Sequence, residues 1–220
     1  MKMDYKSITD YFDSAYCINL DRRKDRWETS KKLFEENNLK VNRFSACDGE
    51  LIDIRPPYGR ELAGTISHCN VLKEAKKLNL NNVLIFEDDV CFESNFQTTF
   101  FEVKDQIPQD WDLLYFGGNH TGGFHQISEN MFKIFKTYCI HMYAVNSKFF
   151  DVAIDFYENK IDNILNKSGD VLPSVGADYF LGILQPNYNC YVIRPHLAFQ
   201  RHCYSDIQLI NVNYDPFLRK

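Results

Sequence analysis

The chain has seven cysteines, an odd number, and none of them stand as a CxxC pair. This argues against a structural zinc site and leaves no complete disulfide framework, so reduced thiols in a cytosol-like compartment are expected. No apolar run approaches the roughly 18 residues needed to cross a bilayer. No apolar segment follows the opening Met1-Lys2-Met3-Asp4, which reads as a chain without signal peptide or membrane anchor. Basic residues do not dominate either. The 25 Lys and Arg face 30 Asp and Glu for a net charge of -5, and the basic residues are dispersed apart from Arg22-Arg23-Lys24. Nucleic acid is therefore a poor candidate partner. Low-complexity tracts and internal repeats are absent, and no phosphate-cradling glycine loop lies near the N-terminus, which counts against a nucleotidyltransferase.

What is present is ordinary globular material: 220 residues, 45% hydrophobic and 25% charged. That length suits one sizeable α/β domain, expected over 1–220, with a nucleotide-binding part at about 14–118 and an acceptor-side part at about 119–210. The 18 Phe and 13 Tyr suit a packed core, although rings of this kind also stack on bases and sugars.

The pattern alternates strand and helix. Ala15–Leu20 reads as a buried strand, Lys24–Asn37 as a helix and Val41–Ser45 as a second strand. A loop through Pro56-Pro57-Tyr58-Gly59 precedes a helix over Ser67–Leu78, where Val71, Leu72, Ala75 and Leu78 recur at helical spacing. Val83–Phe86 is a continuous apolar run that stops at three carboxylates, as a buried parallel strand does at the ligand edge of a sheet. Beyond it the pattern predicts a helix at Phe96–Val103, a strand at Leu113–Phe116 and a glycine-rich loop through Gly117-Gly118 and Gly122-Gly123. Next come a strand at Cys139–Val145, a helix at Lys148–Leu165 and a loop with Pro173 and Gly176. A short helix at Asp178–Leu184, a strand at Tyr191–Arg194 and an irregular tail after Pro195 complete the reading. Such alternation argues for an open, mostly parallel α/β sheet flanked by helices.

Several constellations carry chemistry. Glu87, Asp88 and Asp89 side by side repel one another. A hard divalent cation, Mn²⁺ or Mg²⁺, would relieve that repulsion, while capping of the next helix is the simpler alternative. Asn19, Asp21 and Arg22 follow the first strand, at the edge where nucleotides bind in open α/β sheets, and are either ligand contacts or solvated residues. Ser67 is a candidate N-cap, and His68 beside it can meet a phosphate or lie on the surface. His141 interrupts an apolar strand and is either a core histidine or a ligand. Asp178, at a helix start among aromatics, is either a cap or a general base.

Taken in order, these segments resemble glycosyltransferase family 25, the lipopolysaccharide-biosynthesis and procollagen galactosyltransferase family. CINLDRRKDRW resembles its strand-to-loop signature, FSACDG its F-x-A-x-DG segment, ISHCNVLKEA its SH helix, LIFEDDV its acidic motif and WDLLYFGG the strand that follows. IHMYAV is similar to its HAY strand, GADYFL to the region of its D-W acid and AFQRHCYSDIQ to its C-terminal motif, so the likeness runs from about Tyr16 to Gln208. Two departures stand out: Ala63-Gly64 replaces Gly-Cys before the SH helix, and His141-Met142-Tyr143 replaces His-Ala-Tyr.

The resemblance implies a GT-A-like, Rossmann-like fold and a metal-dependent, inverting transfer of galactose or glucose. The donor would be a UDP-sugar, and the acceptor a hydroxyl of a glycan or collagen-like chain. It places Asn19, Asp21, Arg22, Ser67, His68, Glu87 and Asp88 at the donor, Asp89, Glu87 and His141 at Mn²⁺ or Mg²⁺, and Asp178 as base. The family's animal members act in the endoplasmic reticulum, whereas this sequence reads as a compact cytoplasmic member. The alternatives are a non-catalytic relative that binds UDP-sugar or glycan without transfer, and a sugar-binding module.

Overall fold

The computed structural model describes residues 5–52, 58–166 and 174–213. Eight strands form the central sheet: β1 Ser14–Asn19, β2 Asn42–Ser45, β3 Asn82–Glu87, β4 Leu113–Tyr115, β5 Phe124–Gln126, β6 Met131–Ile134, β7 Met142–Asn146 and β8 Cys190–Ile193. Their spatial order is β2-β1-β3-β7-β4-β8-β6-β5. β1 runs parallel to β2 and β3, and β4 parallel to β8, while β7 is inserted antiparallel between β3 and β4. β6 is antiparallel to both β8 and β5. Only β7 and β6 therefore reverse the common direction, so the sheet is mixed and mostly parallel.

Helices cover both faces, and the strand pleat decides which residues meet them. Along β3, Val83 and Ile85 point to one face, where they join α2 (Tyr58–Lys77), α4 (Ser147–Asn166) and α5 (Ala177–Leu184) through Leu72, Phe149 and Phe180. Leu84 and Phe86 point to the other, where α1 (Lys24–Glu36) and α3 (Phe96–Val103) contribute Phe34, Phe96 and Phe100. A strand buried on both faces reads as a continuous apolar run because neither face offers water to a polar side chain.

The expected elements are present; the sequence pattern does not predict β5 and β6 at one edge of the sheet, and three expected features differ. Helix α2 begins at Tyr58, not near Ser67, so Ser67 is an interior residue rather than an N-cap. Its hydroxyl donates to the Ala63 carbonyl at 2.7 Å, one turn back. The strand expected from Cys139 starts only at Met142, because Cys139 takes a φ of 63° and turns the chain before His141. The tail after Pro195 is not irregular: Ala198–Gln200 pairs with Val90–Phe92, and Cys203–Ser205 with Ile210–Val212. The expectations placed on Pro56, Pro57 and Pro173 fall outside the described residues. No helix among the described residues is long and apolar enough to cross a membrane, and none of the seven cysteines is in a disulfide.

Candidate active site

The C-terminal ends of β1 and β3 meet the start of α1, the cleft-facing part of α2 and the segment 200–207 around one cleft. The pleat that sorts β3 side chains continues past its end. Glu87, in step with Val83 and Ile85, turns toward α2, where its Oε1 lies 3.3 Å from His68 Nε2. His68 Nδ1 in turn meets the Tyr143 hydroxyl at 2.9 Å. Asp88, one residue on, faces α1. Its Oδ2 accepts from the Asn19 amide at 2.6 Å and its Oδ1 pairs with Arg26 Nη2, also at 2.6 Å. Its carbonyl accepts the Ser30 hydroxyl at 2.7 Å.

Asp89 completes the turn. Its Oδ2 lies 2.8 Å from the same Arg26 nitrogen and accepts from Gln200 Nε2 at 2.9 Å. The tail is pinned here by the Arg201 N–H, which donates to the Asp89 carbonyl at 2.7 Å. Asp206 closes the ring of charge, pairing with Arg22 and Arg23 and approaching Arg26 Nη1 at 3.5 Å.

Burial sets the electrostatics. Desolvation pushes the Asp88 carboxyl up to about 6 against the opposing pull of Arg26, and the charge of Asp89 adds to the rise. Burial likewise raises Glu87, partly countered by its bond to His68. Burial alone would lower the proton affinity of Arg26, but the charges of Asp89 and Asp88 outweigh it and the guanidinium is held more firmly protonated.

The remaining expected residues divide. Arg22, Ser67 and His68 line the cleft with Asn19 and the three acids, whereas Asp21 points away to Arg43 and Ser45. His141 is fully buried just before β7, and its carbonyl accepts the Glu87 N–H at 3.0 Å. Neither ring nitrogen makes a well-aligned hydrogen bond, although the backbone of Ala198 and Cys139 lies close, and desolvation lowers the ring to about 4. Asp178 sits in the first turn of α5, outside the cleft lining. Its oxygens accept the N–H groups of Tyr179 at 2.7 Å and Cys139 at 3.0 Å.

Reasoning from sequence missed Arg26, Arg60, Gln200 and Asp206, all of which line the cleft. Arg26 lies within CINLDRRKDRW and Asp206 within AFQRHCYSDIQ, but a charged run usually reads as a solvated face.

The acids suit a hard divalent cation in chemistry, being oxygen donors on a rigid strand end. Asp89 Oδ1 is buried without a hydrogen-bond partner, as are both His141 nitrogens, which leaves lone pairs available. Among the described residues no three His, Cys, Asp or Glu side chains are already drawn together as a cage. Arg26 holds Asp88 and Asp89 instead.

The model of glycosyltransferase family 25 (LPS biosynthesis protein) matches residues 59–192, which include α2, the acidic strand end, His141 and Asp178. The chain belongs to this family. As a family 25 member it carries the GT-A-like sheet expected of it, three parallel strands leading to the acidic turn and an antiparallel strand beside them. Human procollagen galactosyltransferase 2 is 32% identical over 129 residues, covering 48% of this chain and 21% of that protein. The human inactive glycosyltransferase 25 family member 3 is 31% identical over 129 residues, covering 48% and 22%. The chain thus spans about a fifth of the length of these curated relatives. A solved glycosyltransferase involved in glycosylating the major capsid of PBCV-1 is similar with a TM-score of 0.44 and 11% identity, over 74% of this chain and 70% of that one.

Proposed function

We propose that this family 25 chain is a metal-dependent, inverting hexosyltransferase. It would move galactose or glucose from a UDP-sugar to a hydroxyl of a glycan or collagen-like acceptor. The observation that carries the reading is the acidic turn of half-buried Glu87 and buried Asp88 and Asp89 in a cleft that also holds Arg22, Arg26 and Arg60. Carboxylates alone would repel a diphosphate. Carboxylates to hold a cation, with guanidinium groups beside them to meet phosphate oxygens, fit a nucleotide-sugar.

Asp89 and Glu87, with His141, are the residues that would hold Mn²⁺ or Mg²⁺. When bound, the ion supplies Lewis-acid stabilisation of the charge that grows on the departing UDP. Asn19 fixes Asp88, and His68, itself anchored on Tyr143, fixes Glu87, so the acids are held in place before the donor arrives. Arg22 and Arg60 line the same cleft and would bind the diphosphate in this reading, together with Ser67, which lines the cleft from α2. Inversion requires one in-line attack, with the acceptor hydroxyl proton passing to a base. Asp178 takes that role in this reading: each of its oxygens keeps a free lone pair beyond the backbone bond it accepts.

A second reading, a non-catalytic relative that binds UDP-sugar or glycan without transfer, is favoured by one observation. The chain is about as similar to the inactive human member as to the human galactosyltransferase. Release of UDP separates the two. The purified chain is incubated with a panel of UDP-sugars, with Mn²⁺ or with EDTA, beside Asp89→Ala. Mn²⁺-dependent release from one donor, lost in the variant, supports transfer and names the sugar. UDP binding by calorimetry without release, in the presence of glycan and collagen-like acceptors, supports the non-catalytic reading.

A further inference from the structure

Arg26 makes contacts that a metal ion would make. A single nitrogen, Nη2, receives Asp88 Oδ1 at 2.6 Å and Asp89 Oδ2 at 2.8 Å, so two carboxylates converge on one point. Side-chain exposure is 10% for Arg26, 12% for Asp88 and 10% for Asp89, so water screens the cluster little. The charges do not balance locally. Two carboxylates share one guanidinium, because Asp206, the third acid nearby, is taken mainly by Arg22 and Arg23. The Arg201 guanidinium reaches the turn only through the Asp88 carbonyl, at 3.1 Å, so the two carboxylates carry one charge more than the guanidinium that bridges them, and a divalent ion in its place would balance them. Two further atoms are left without partners. Arg26 Nε is buried without an acceptor, and Asp89 Oδ1 is buried without a donor. An arginine in its final working position would use its fork more fully.

We infer that Arg26 is a resident surrogate cation, holding the acidic turn together in the unloaded protein and leaving Asp88 and Asp89 when a divalent ion enters. The inference rests on the reading of the acidic turn as the ion's site, and adds that the chain contributes its own competitor for that site. The two compete for Asp89, whose Oδ2 the guanidinium already holds at 2.8 Å: two cations on one carboxylate in a poorly screened site repel each other, so the ion and the guanidinium disfavour one another there. Occupancy by Arg26 prevents Asp88 and Asp89 from facing each other as bare buried charges, and it weakens ion binding by whatever free energy its own contacts supply. A bound ion balances the two carboxylates and frees the guanidinium for a phosphate in the same cleft.

The test measures ion binding rather than turnover. Mn²⁺ is titrated into the chain without nucleotide, and free Mn²⁺ is followed by electron paramagnetic resonance for wild type, Arg26→Gln and Arg26→Lys. Circular dichroism in EDTA confirms that each variant is folded. Removing the competitor tightens Mn²⁺ binding at least 10-fold in Arg26→Gln. In Arg26→Lys the tightening is smaller, because one ammonium keeps the charge but loses the fork. Should Arg26→Gln unfold in EDTA, Arg26→Lys still carries the test, as its Mn²⁺ affinity must exceed that of wild type. Wild type binding Mn²⁺ as tightly as the folded variants, or more tightly, overturns the surrogate role and leaves the metal site standing. Absence of Mn²⁺ binding in wild type and variants alike overturns both the inference and the site reading beneath it.

Discussion

The side-chain amide of Asn19 donates to Asp88 Oδ2 at 2.6 Å, tying the end of β1 to the turn after β3. Asn19 also donates to the Arg23 carbonyl at 3.1 Å and accepts from Arg43 Nε at 2.8 Å. All three bonds are drawn from a side chain that is 1% exposed, so water cannot replace them readily. Asn19→Ala leaves the buried Asp88 oxygen short of a donor, at a cost of about 1–3 kcal/mol. For a chain of this size that corresponds to a fall in melting temperature of roughly 2–4 °C per kcal/mol. Thermal unfolding by circular dichroism in EDTA measures it, and an unchanged midpoint would show that Asp88 is held without Asn19.

How much of this was legible depends on where each partner lies along the chain. The run Val83–Phe86 ending in acids was readable because a two-face buried strand needs only local apolar residues, and its direction toward a ligand edge follows from the fold class. The start of α2 was not. Gly59 and Gly64 weaken the helical signal, and Ala63, Ser67 and Val71 are buried on the side away from Leu62, Thr65, Cys69 and Leu72, so the buried face is too broad to show a clean stripe. Arg26 was hidden for a different reason: its partners, Asp88, Asp89 and Asp206, come from elements distant in sequence, and only the folded sheet edge brings them together. The short strands after Pro195 gain their order from pairing with Val90–Phe92 rather than from their own composition.

A histidine pair away from the acidic turn governs behaviour in acid. His120 Nε2 lies 3.1 Å from His196 Nε2, and His120 Nδ1 meets the Thr137 hydroxyl at 2.8 Å. Burial, reinforced by His196, lowers His120 to about 3. A histidine depressed in the folded state contributes stability that is complete above the unfolded value near 6.5 and is lost as pH falls toward the folded value. At pH 5 the loss amounts to roughly 2 kcal/mol for this group. Buried His141 acts with the same sign. Urea unfolding at pH 7.5 and pH 5 is therefore expected to show a drop in stability that shrinks in His120→Asn. An equal drop in wild type and variant would remove His120 from the account.

Two glycines separate packing from propensity. A Cβ on Gly117 would stand 2.1 Å from the Ala198 carbonyl oxygen and 2.8 Å from His141 Nε2, so the backbone after β4 passes too close for any side chain. Gly117→Ala is expected to destabilise by about 3 kcal/mol and to displace His141. On α2, a Cβ at Gly64 meets only Ile207 Cδ1 at 3.9 Å, an ordinary contact. Gly64→Ala is expected to stabilise by about 0.5–1 kcal/mol through helix propensity alone. Parallel chemical denaturation curves check both, and a loss of stability in Gly64→Ala would show that the cleft wall needs the glycine.

Asp178 is the residue in which structural and chemical roles must be pulled apart. Its two oxygens receive the Tyr179 and Cys139 N–H groups, so it links the first turn of α5 to the chain before His141. In Asp178→Asn one oxygen becomes an amide nitrogen, which cannot accept, and one of the two N–H groups loses its partner. That alone costs about 1–3 kcal/mol of stability, whatever the residue does in catalysis. A general base removed from the reaction lowers kcat by about 10²–10⁴-fold while leaving the donor's binding constant unchanged, because the proposed donor site is the acidic turn and does not include Asp178. The decisive measurement pairs kcat at saturating donor and acceptor with UDP-sugar binding by calorimetry, both at a temperature where the variant is fully folded. A fall in kcat at unchanged affinity assigns the base to Asp178. If turnover per folded molecule matches wild type, Asp178 is a helix cap that braces Cys139, and the proton must leave by another route.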